Sequence, residues 1–424
     1  MEQLVDTWLH AATQDAFILR ASAGLDHCIT IASSNYSWTL VLANDAVQVE
    51  KDGSAATRPT VEIRANDQTW EKLLTAETVE PGWQGFGAIK RFNSAFSITG
   101  EDFVIAQCLP ILERLIELTY GHLPIIPAPA VELDPTQIHG NYSVIKTASS
   151  GEHLVYWESA GKGAPVLFLH TAGADARQYR HQLSDVALAS DRTLFAFDMP
   201  GHGRSDMPQD WVDGKPYELS LVKYLEVCAA FIEQVIGEPV VVAGCSMGAA
   251  MSLVIAARRP DLVKGVIALE APWRSPGRKS PLLRDARVNP SLHNPAYVRG
   301  MMGPQAPRRY REEACWIYSQ AGFGVYAGDL GFYSEQFDGE VIGAELQDTP
   351  IPIQLLTGEY DYSASPENTQ ILARLINTAE FKSMPGLGHF PMIEHPLFFR
   401  PYLMEALNRI DERNAQRFEE SCQA

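Results

Sequence analysis

The sequence is short of positive charge. Its 424 residues carry 34 lysines and arginines against 52 aspartates and glutamates, a formal net charge of −18. A chain of that sign repels phosphate backbones and anionic lipid headgroups, so neither nucleic acid nor a membrane surface is an expected partner. Cysteine is scarce as well. Cys28, Cys108, Cys228, Cys245, Cys315 and Cys422 are scattered, without the paired spacing of a metal site or a disulfide framework. Reduced, mostly buried thiols in a cytoplasmic protein are the expectation. No apolar run is long enough to span a bilayer. The first residues, Met1-Glu2-Gln3-Leu4-Val5-Asp6, are acidic and lack the basic start of a signal peptide. Internal repeats and low-complexity tracts are missing too.

What remains is ordinary globular composition, 46% hydrophobic and 20% charged. The length exceeds what one hydrophobic core usually serves, so two domains are expected. The most informative stretch is Val240-Val241-Val242-Ala243-Gly244-Cys245-Ser246-Met247-Gly248-Ala249-Ala250. An apolar, β-branched run reads as a buried strand, a Gly-x-Ser-x-Gly turn follows, and small residues suited to a helix close it. Strand, sharp turn and helix are the setting in which such a serine becomes a nucleophile. Gly244 and Gly248 remove side chains that would collide where strand and helix cross.

Before residue 123 the pattern is α+β. Ser37 to Leu42 and Ala46 to Glu50 read as paired strands around an Asn44-Asp45 turn, and Thr60 to Ala65 as a third. Gln68 to Leu74 reads as a helix capped by Asn66 or Asp67. Ser94 to Gly100 suits another strand. Asp102 to Tyr120 suits a buried helix that Pro110 should break or kink. The order of a Trp38-containing strand, the Pro59-Thr60-Val61-Glu62-Ile63 strand, a helix ending near Leu73-Leu74 and a final amphipathic helix resembles the sterol carrier protein type 2 fold. That resemblance implies a small apolar cavity. The reading preferred over it is a docking or dimerisation module without ligand, and so a homo-oligomer held by this part. Leu123-Pro124-Ile125-Ile126-Pro127-Ala128-Pro129-Ala130 is proline-rich and reads as a linker. The expected division is 1–122 for the α+β domain, 123–137 for the linker and 138–424 for the rest.

After the linker, strands alternate with helices, which implies a mostly parallel sheet. His170-Thr171-Ala172-Gly173, Asp198-Met199-Pro200-Gly201-His202-Gly203-Arg204-Ser205, Gly244-Cys245-Ser246-Met247-Gly248, Gly358-Glu359-Tyr360-Asp361 and Gly386-Leu387-Gly388-His389 come in that order. Over about 140 to 410 the chain therefore resembles the α/β-hydrolase family. The fold this implies is α/β, with helices on both faces of the sheet and an inserted cap, expected at about 273–345.

A serine hydroxyl needs a base to take its proton. The order serine, acid, histidine is that of the fold. Ser246 is the expected nucleophile, His389 the general base and then acid, and Asp361 the group that orients His389. Glu359 lies two residues from Asp361 and faces the same way in an extended segment, so alternation leaves it open. The resemblance favours Asp361. Glu270 is another rival acid and His395 another base, the latter expected in a capping or surface role. His202 is read as structural. The N–H groups of Met247 and Ala172 are the expected oxyanion donors, with Thr171 standing where the family usually has glycine. Asp175 and Arg177 either reach the pocket or form a salt-bridged loop.

The cap's first half is rich in arginine, from Arg274 and Arg278 to Arg311, which reads either as a solvated face or as a carboxylate clamp. Its second half is aromatic, from Trp316 to Phe337. Substrate-binding candidates are Thr171, Asp175, Arg177, Trp273, Arg274 and Trp316. A small-molecule substrate is expected, with no cofactor and no metal. The leading function is hydrolysis of a carboxylic ester or lactone through an acyl-enzyme. C–C bond hydrolysis of a diketone-like acid is an alternative, and a hydrolase-shaped small-molecule or lipid binder is another. Epoxide and haloalkane chemistry is disfavoured, because those relatives need a carboxylate where Ser246 stands.

Overall fold

Short, mostly apolar stretches near the N-terminus build the first sheet. The computed structural model describes residues 1–43, 45–51, 58 and 60–423. Asn44 of the expected turn, and Pro59, lie outside the described residues. Strands β1 (His27–Ala32), β2 (Ser37–Ala43), β3 (Ala46–Lys51), β4 (Thr60–Arg64) and β5 (Ser97–Thr99) line up in the order β3-β2-β1-β4-β5. β1 runs antiparallel to β2 and parallel to β4. The helix Asp67–Leu74 starts at Asn66, whose side chain accepts from Thr69 N at 2.8 Å. Helix Asp102–Tyr120 runs on through Pro110. Most of its apolar residues from Val104 to Tyr120 are buried, and that packing outweighs the one hydrogen bond proline removes.

This sheet belongs to a unit made of two pieces of chain, Met1–Ile125 and Asp285–Gln305. The second piece was expected inside the cap. Instead its helix Pro290–Gly300 packs on helices Asp102–Tyr120 and Phe86–Phe92. Arg299, only 2% exposed, donates to Glu117 at 2.8 Å. The Glu113 carboxylate accepts from Phe86 N at 2.8 Å and Gly87 N at 2.9 Å, at the start of helix Phe86–Phe92. Gly300 lies against that carboxylate, where a Cβ would come within 2.4 Å of it.

The other unit is Ile126–Arg284 with Ala306–Ala424, so the boundary falls inside the proline-rich stretch. Its strands are β6 (His139–Thr147), β7 (Gly151–Gly161), β8 (Ala164–Leu169), β9 (Arg192–Phe197), β10 (Val240–Cys245), β11 (Val263–Leu269), β12 (Ile353–Gly358) and β13 (Ala379–Met384). They form one sheet in the order β13-β12-β11-β10-β8-β9-β7-β6. The run from β13 to β9 is parallel, and the β6–β7 hairpin closes it in antiparallel fashion. β10 is buried at every residue, as a central strand covered on both faces must be. The C-terminal ends of β8, β10, β11 and β12 meet at one edge, where open α/β sheets present their chemistry. No described helix is long and apolar enough to cross a membrane.

Candidate active site

Ser246 follows β10 directly, and helix Met247–Arg258 starts at the next residue. Its backbone has φ 56° and ψ −112°, a region that side-chain-bearing residues rarely enter. Close packing imposes that turn. A Cβ on Gly244 would lie 2.3 Å from the Gly248 carbonyl carbon, and one on Gly248 would lie 2.3 Å from Leu169 O. Ser246 N donates to Leu269 O at 2.9 Å, which ties the turn to β11.

His389 and Asp361 arrive from the loops after β13 and β12. His389 Nδ1 donates to Asp361 Oδ2 at 2.7 Å, with both side chains buried. Asp361 Oδ1 accepts from Ser363 N at 2.6 Å and Ala364 N at 3.1 Å. Burial pushes the Asp361 carboxyl up, but His389, Glu270 and the Ala364 N–H outweigh burial and leave it below the ordinary range. Glu359, the rival acid, is exposed and accepts from Gly386 N at 2.9 Å. His395 donates to Ile126 O at 2.8 Å, a tie to the linker. The His389 loop is itself pinned. Glu394 accepts from Gly388 N and from Phe390 N at 3.2 Å, and the Cys245 thiol donates to His389 O at 3.2 Å.

In the loop after β8, Thr171 N donates to Gln178 Oε1 at 3.0 Å, Gly173 N to Asp329 Oδ2 at 2.7 Å, and Ala174 N to Thr171 O at 3.2 Å. These bonds engage Ala172's neighbours on both sides. Thr171 Oγ1 also bonds the Tyr318 hydroxyl. Asp329, on helix Val325–Leu330, further accepts from His202 Nε2 at 2.8 Å and the Tyr217 hydroxyl at 3.0 Å. Burial lowers the His202 pKa and Asp329 raises it, with a net rise. His170 moves the other way, down to about 4, through burial and the neighbouring His202. Its Nε2 accepts from Met199 N at 3.2 Å and its Nδ1 donates to Thr171 O at 2.9 Å, the pattern of a neutral ring.

Several substrate-binding candidates have other partners. Arg177 grips Asp175 through two hydrogen bonds, reaches Gln320 at 2.9 Å and stacks over Trp316. This is the salt-bridged loop, and Trp316 is 48% exposed. Arg274 pairs with Asp338 and Glu340 at the surface, and Trp273 packs against the core. Acids distant in sequence answer other arginines of the basic stretch: Glu218 pairs with Arg284, and Glu117 with Arg299. A cavity of about 280 Å³ lies beside the loop and is lined by Gly173, Asp175, His202, Trp211 and Gly322. Ser246 is not among its lining residues.

Two residues matter here that motif reading missed. Asp329 lies in a helix with no motif around it. Tyr333, one of many cap aromatics, places its phenol beside the hydroxyls of Ser246 and Ser275. Among the described residues neither the Tyr333 hydroxyl nor the Ser275 hydroxyl makes a well-aligned hydrogen bond, and both are buried. The net effect on the phenol is a raised pKa from burial, which Arg278's charge and the two serines offset in part.

Residues 166–400 match the Alpha/beta hydrolase family, which is more than half of the chain. The chain belongs to that family. It is thus a hydrolase of the α/β-hydrolase type. It is similar to pheophytinase, chloroplastic, of Arabidopsis thaliana, 34% identical over 147 residues, which are 28% of this chain and 30% of that protein's length. It is 25% identical to putative esterase/lipase 2 of Mycoplasma pneumoniae over 257 residues, covering 58% of this chain and 89% of that one. The enol-lactonase from Burkholderia xenovorans LB400 superposes with a TM-score of 0.55 at 17% identity, covering 63% of this chain and 100% of that chain, a likeness of fold alone.

Proposed function

We propose that the chain is a serine hydrolase that cleaves a carboxylic ester or lactone of a small, carboxylate-bearing molecule through an acyl-enzyme. The observation that carries the reading is the strained Ser246 at the end of β10 on the same sheet edge as the buried 2.7 Å His389–Asp361 pair. Ser246 Oγ attacks the carbonyl carbon while His389 Nε2 takes its proton. Asp361 holds the ring with Nε2 toward the serine and stabilises the imidazolium. The N–H groups of Met247 and Ala172 receive the oxyanion. His389 then protonates the leaving alcohol, and water attacks the acyl-serine by the same route in reverse.

The similarity to an esterase/lipase supports the ester class, and a lactone offers the same carbonyl to the same groups. Arg278, whose charge acts on Tyr333 next to Ser246, supports a carboxylate on the substrate. It equally suits C–C cleavage of a diketone-like acid, and a panel of esters, lactones and diketo acids separates these. The direct test of the mechanism is labelling by a fluorophosphonate probe. Wild type should label on Ser246, and Ser246→Ala should not. A wild type that stays unlabelled, or a variant that labels equally, sinks the reading in favour of a binding protein.

A further inference from the structure

Glu270 was a rival for the role of Asp361, yet the fold brings both to the same place. It is the residue after β11, fully buried, with φ 55°. A non-glycine residue held there is strained, and the surroundings must hold it. Both its carboxylate oxygens face Gly358 N, at 2.9 and 3.1 Å. Its carboxyl group lies beside that of Asp361, close enough for the two to act on each other's charge. One ligand atom each from Glu270, Asp361 and His389 all lie within 4.8 Å of one another.

Two carboxyl groups can hydrogen-bond only through a proton that one of them keeps. The donor count says which one. Asp361 receives three N–H groups, from Ser363, Ala364 and His389. Glu270 receives one, from Gly358. Each N–H favours the ionised form, so the anion belongs on Asp361 and the proton on Glu270. The other titratable groups turned toward this pair point the same way. Glu394, from helix Pro391–Glu394, adds negative field, and the Cys245 thiol at the end of β10 is pushed up by burial and stays neutral.

We infer that Glu270 is a positioning residue that stays protonated and donates its proton to Asp361, so that Asp361 Oδ2 is held on His389 Nδ1. Burial and the neighbouring Asp361 push the Glu270 carboxyl well above the usual range, in agreement with this. The inference rests on the roles proposed above for Ser246, His389 and Asp361. It adds a fourth group, behind the three, that touches no substrate.

The test needs no substrate. The rate of fluorophosphonate labelling at Ser246 is followed against pH, since labelling requires neutral His389. Glu270→Gln keeps a neutral donor toward Asp361 and an acceptor for Gly358 N. Its acid limb should coincide with that of wild type, with rates within about threefold. Glu270→Ala leaves Asp361 without that donor and more basic, so the limb should move to higher pH. If Glu270 were instead a second anion, Glu270→Gln would remove a charge near His389 and move the limb down by about one pH unit. That outcome overturns the inference, as does a Gln variant whose limb moves up as the Ala variant's does. A chelator should leave wild-type labelling unchanged, and loss of labelling would mean that a cation, not a proton, bridges the two carboxyl groups. In each of these cases Ser246 of the untreated wild type still labels, so the proposed mechanism survives. If that wild type fails to label, the proposed mechanism fails first.

Discussion

At Tyr333 stability and function pull apart. Its hydroxyl is buried without a well-aligned hydrogen bond among the described residues, beside the nucleophile candidate. An unpaired buried hydroxyl costs about 1–3 kcal/mol. Replacing it by Phe should therefore raise the melting temperature. The same change should lower kcat by about 100-fold if the hydroxyl donates to the reacting ester, loss of one such donor costing about 2.7–4 kcal/mol. Calorimetry and ester kinetics on Tyr333→Phe check both signs together. A variant that is less stable and equally active contradicts both expectations. Asp361 and His389 were legible because each sits in a short motif at the end of a strand. Tyr333 was not, since one tyrosine among many cap aromatics carries no mark of the direction it faces. Glu270 was half legible. Its position at the end of a strand is a matter of sequence, whereas its contact with Asp361 depends on the alignment of β11 and β12.

The helices that surround Glu113 show what pH does to an element. Burial pushes the Glu113 carboxyl up to about 7, against the pull of the Gly87 and Phe86 N–H groups and of Arg299. The sign follows from linkage. A carboxyl whose folded pKa lies above its unfolded value contributes its full stability below the unfolded value, and that contribution falls away as pH rises through the folded one. The unit holding helix Phe86–Phe92 should thus lose stability between about pH 4.5 and 7, by up to about 3 kcal/mol. Glu113→Gln keeps an acceptor for the same N–H groups and should flatten that slope. Thermal unfolding followed across this range checks it. The same neighbourhood shows the limits of reading elements from pattern. Helix Asp102–Tyr120 was plain from its apolar spacing, but Pro110 suggested a break or kink, and the helix runs on because most of its turns are buried. Strand β1 carries no period-two signal, because its buried residues come in pairs and do not alternate.

Across the whole molecule, the sheet edge that carries Ser246, Asp361 and His389 was readable in outline because five motifs come in family order. The division of the chain was not. A cut near residue 122 followed the prolines, whereas the first unit also takes Asp285–Gln305 from far along the chain. Nothing in Pro290–Gly300 marks it as foreign to the cap. Its attachment depends on Glu117 and Glu113, which lie well over a hundred residues earlier. Deleting residues 1–122 should therefore leave Ala296, Val298 and Arg299 without their cover. That variant should aggregate or lose labelling at Ser246. A second variant, in which a short Gly/Ser linker also replaces 285–305, should recover solubility. Gel filtration of the two variants decides the matter, and a soluble, labelling-competent chain after the first deletion alone would refute it.

The two-piece first unit also bears on the order of events during synthesis. Domains made on the ribosome usually fold in turn, the N-terminal one first. Here the opening 125 residues must wait for Asp285–Gln305 before their own packing is complete. By then β6 to β11, with the Ser246 turn, have already been made, while β12 and β13 with Asp361 and His389 have not. The nascent chain thus passes through a stage in which both units lack a part, and a chaperone or a translational pause near residue 305 would act on the two together.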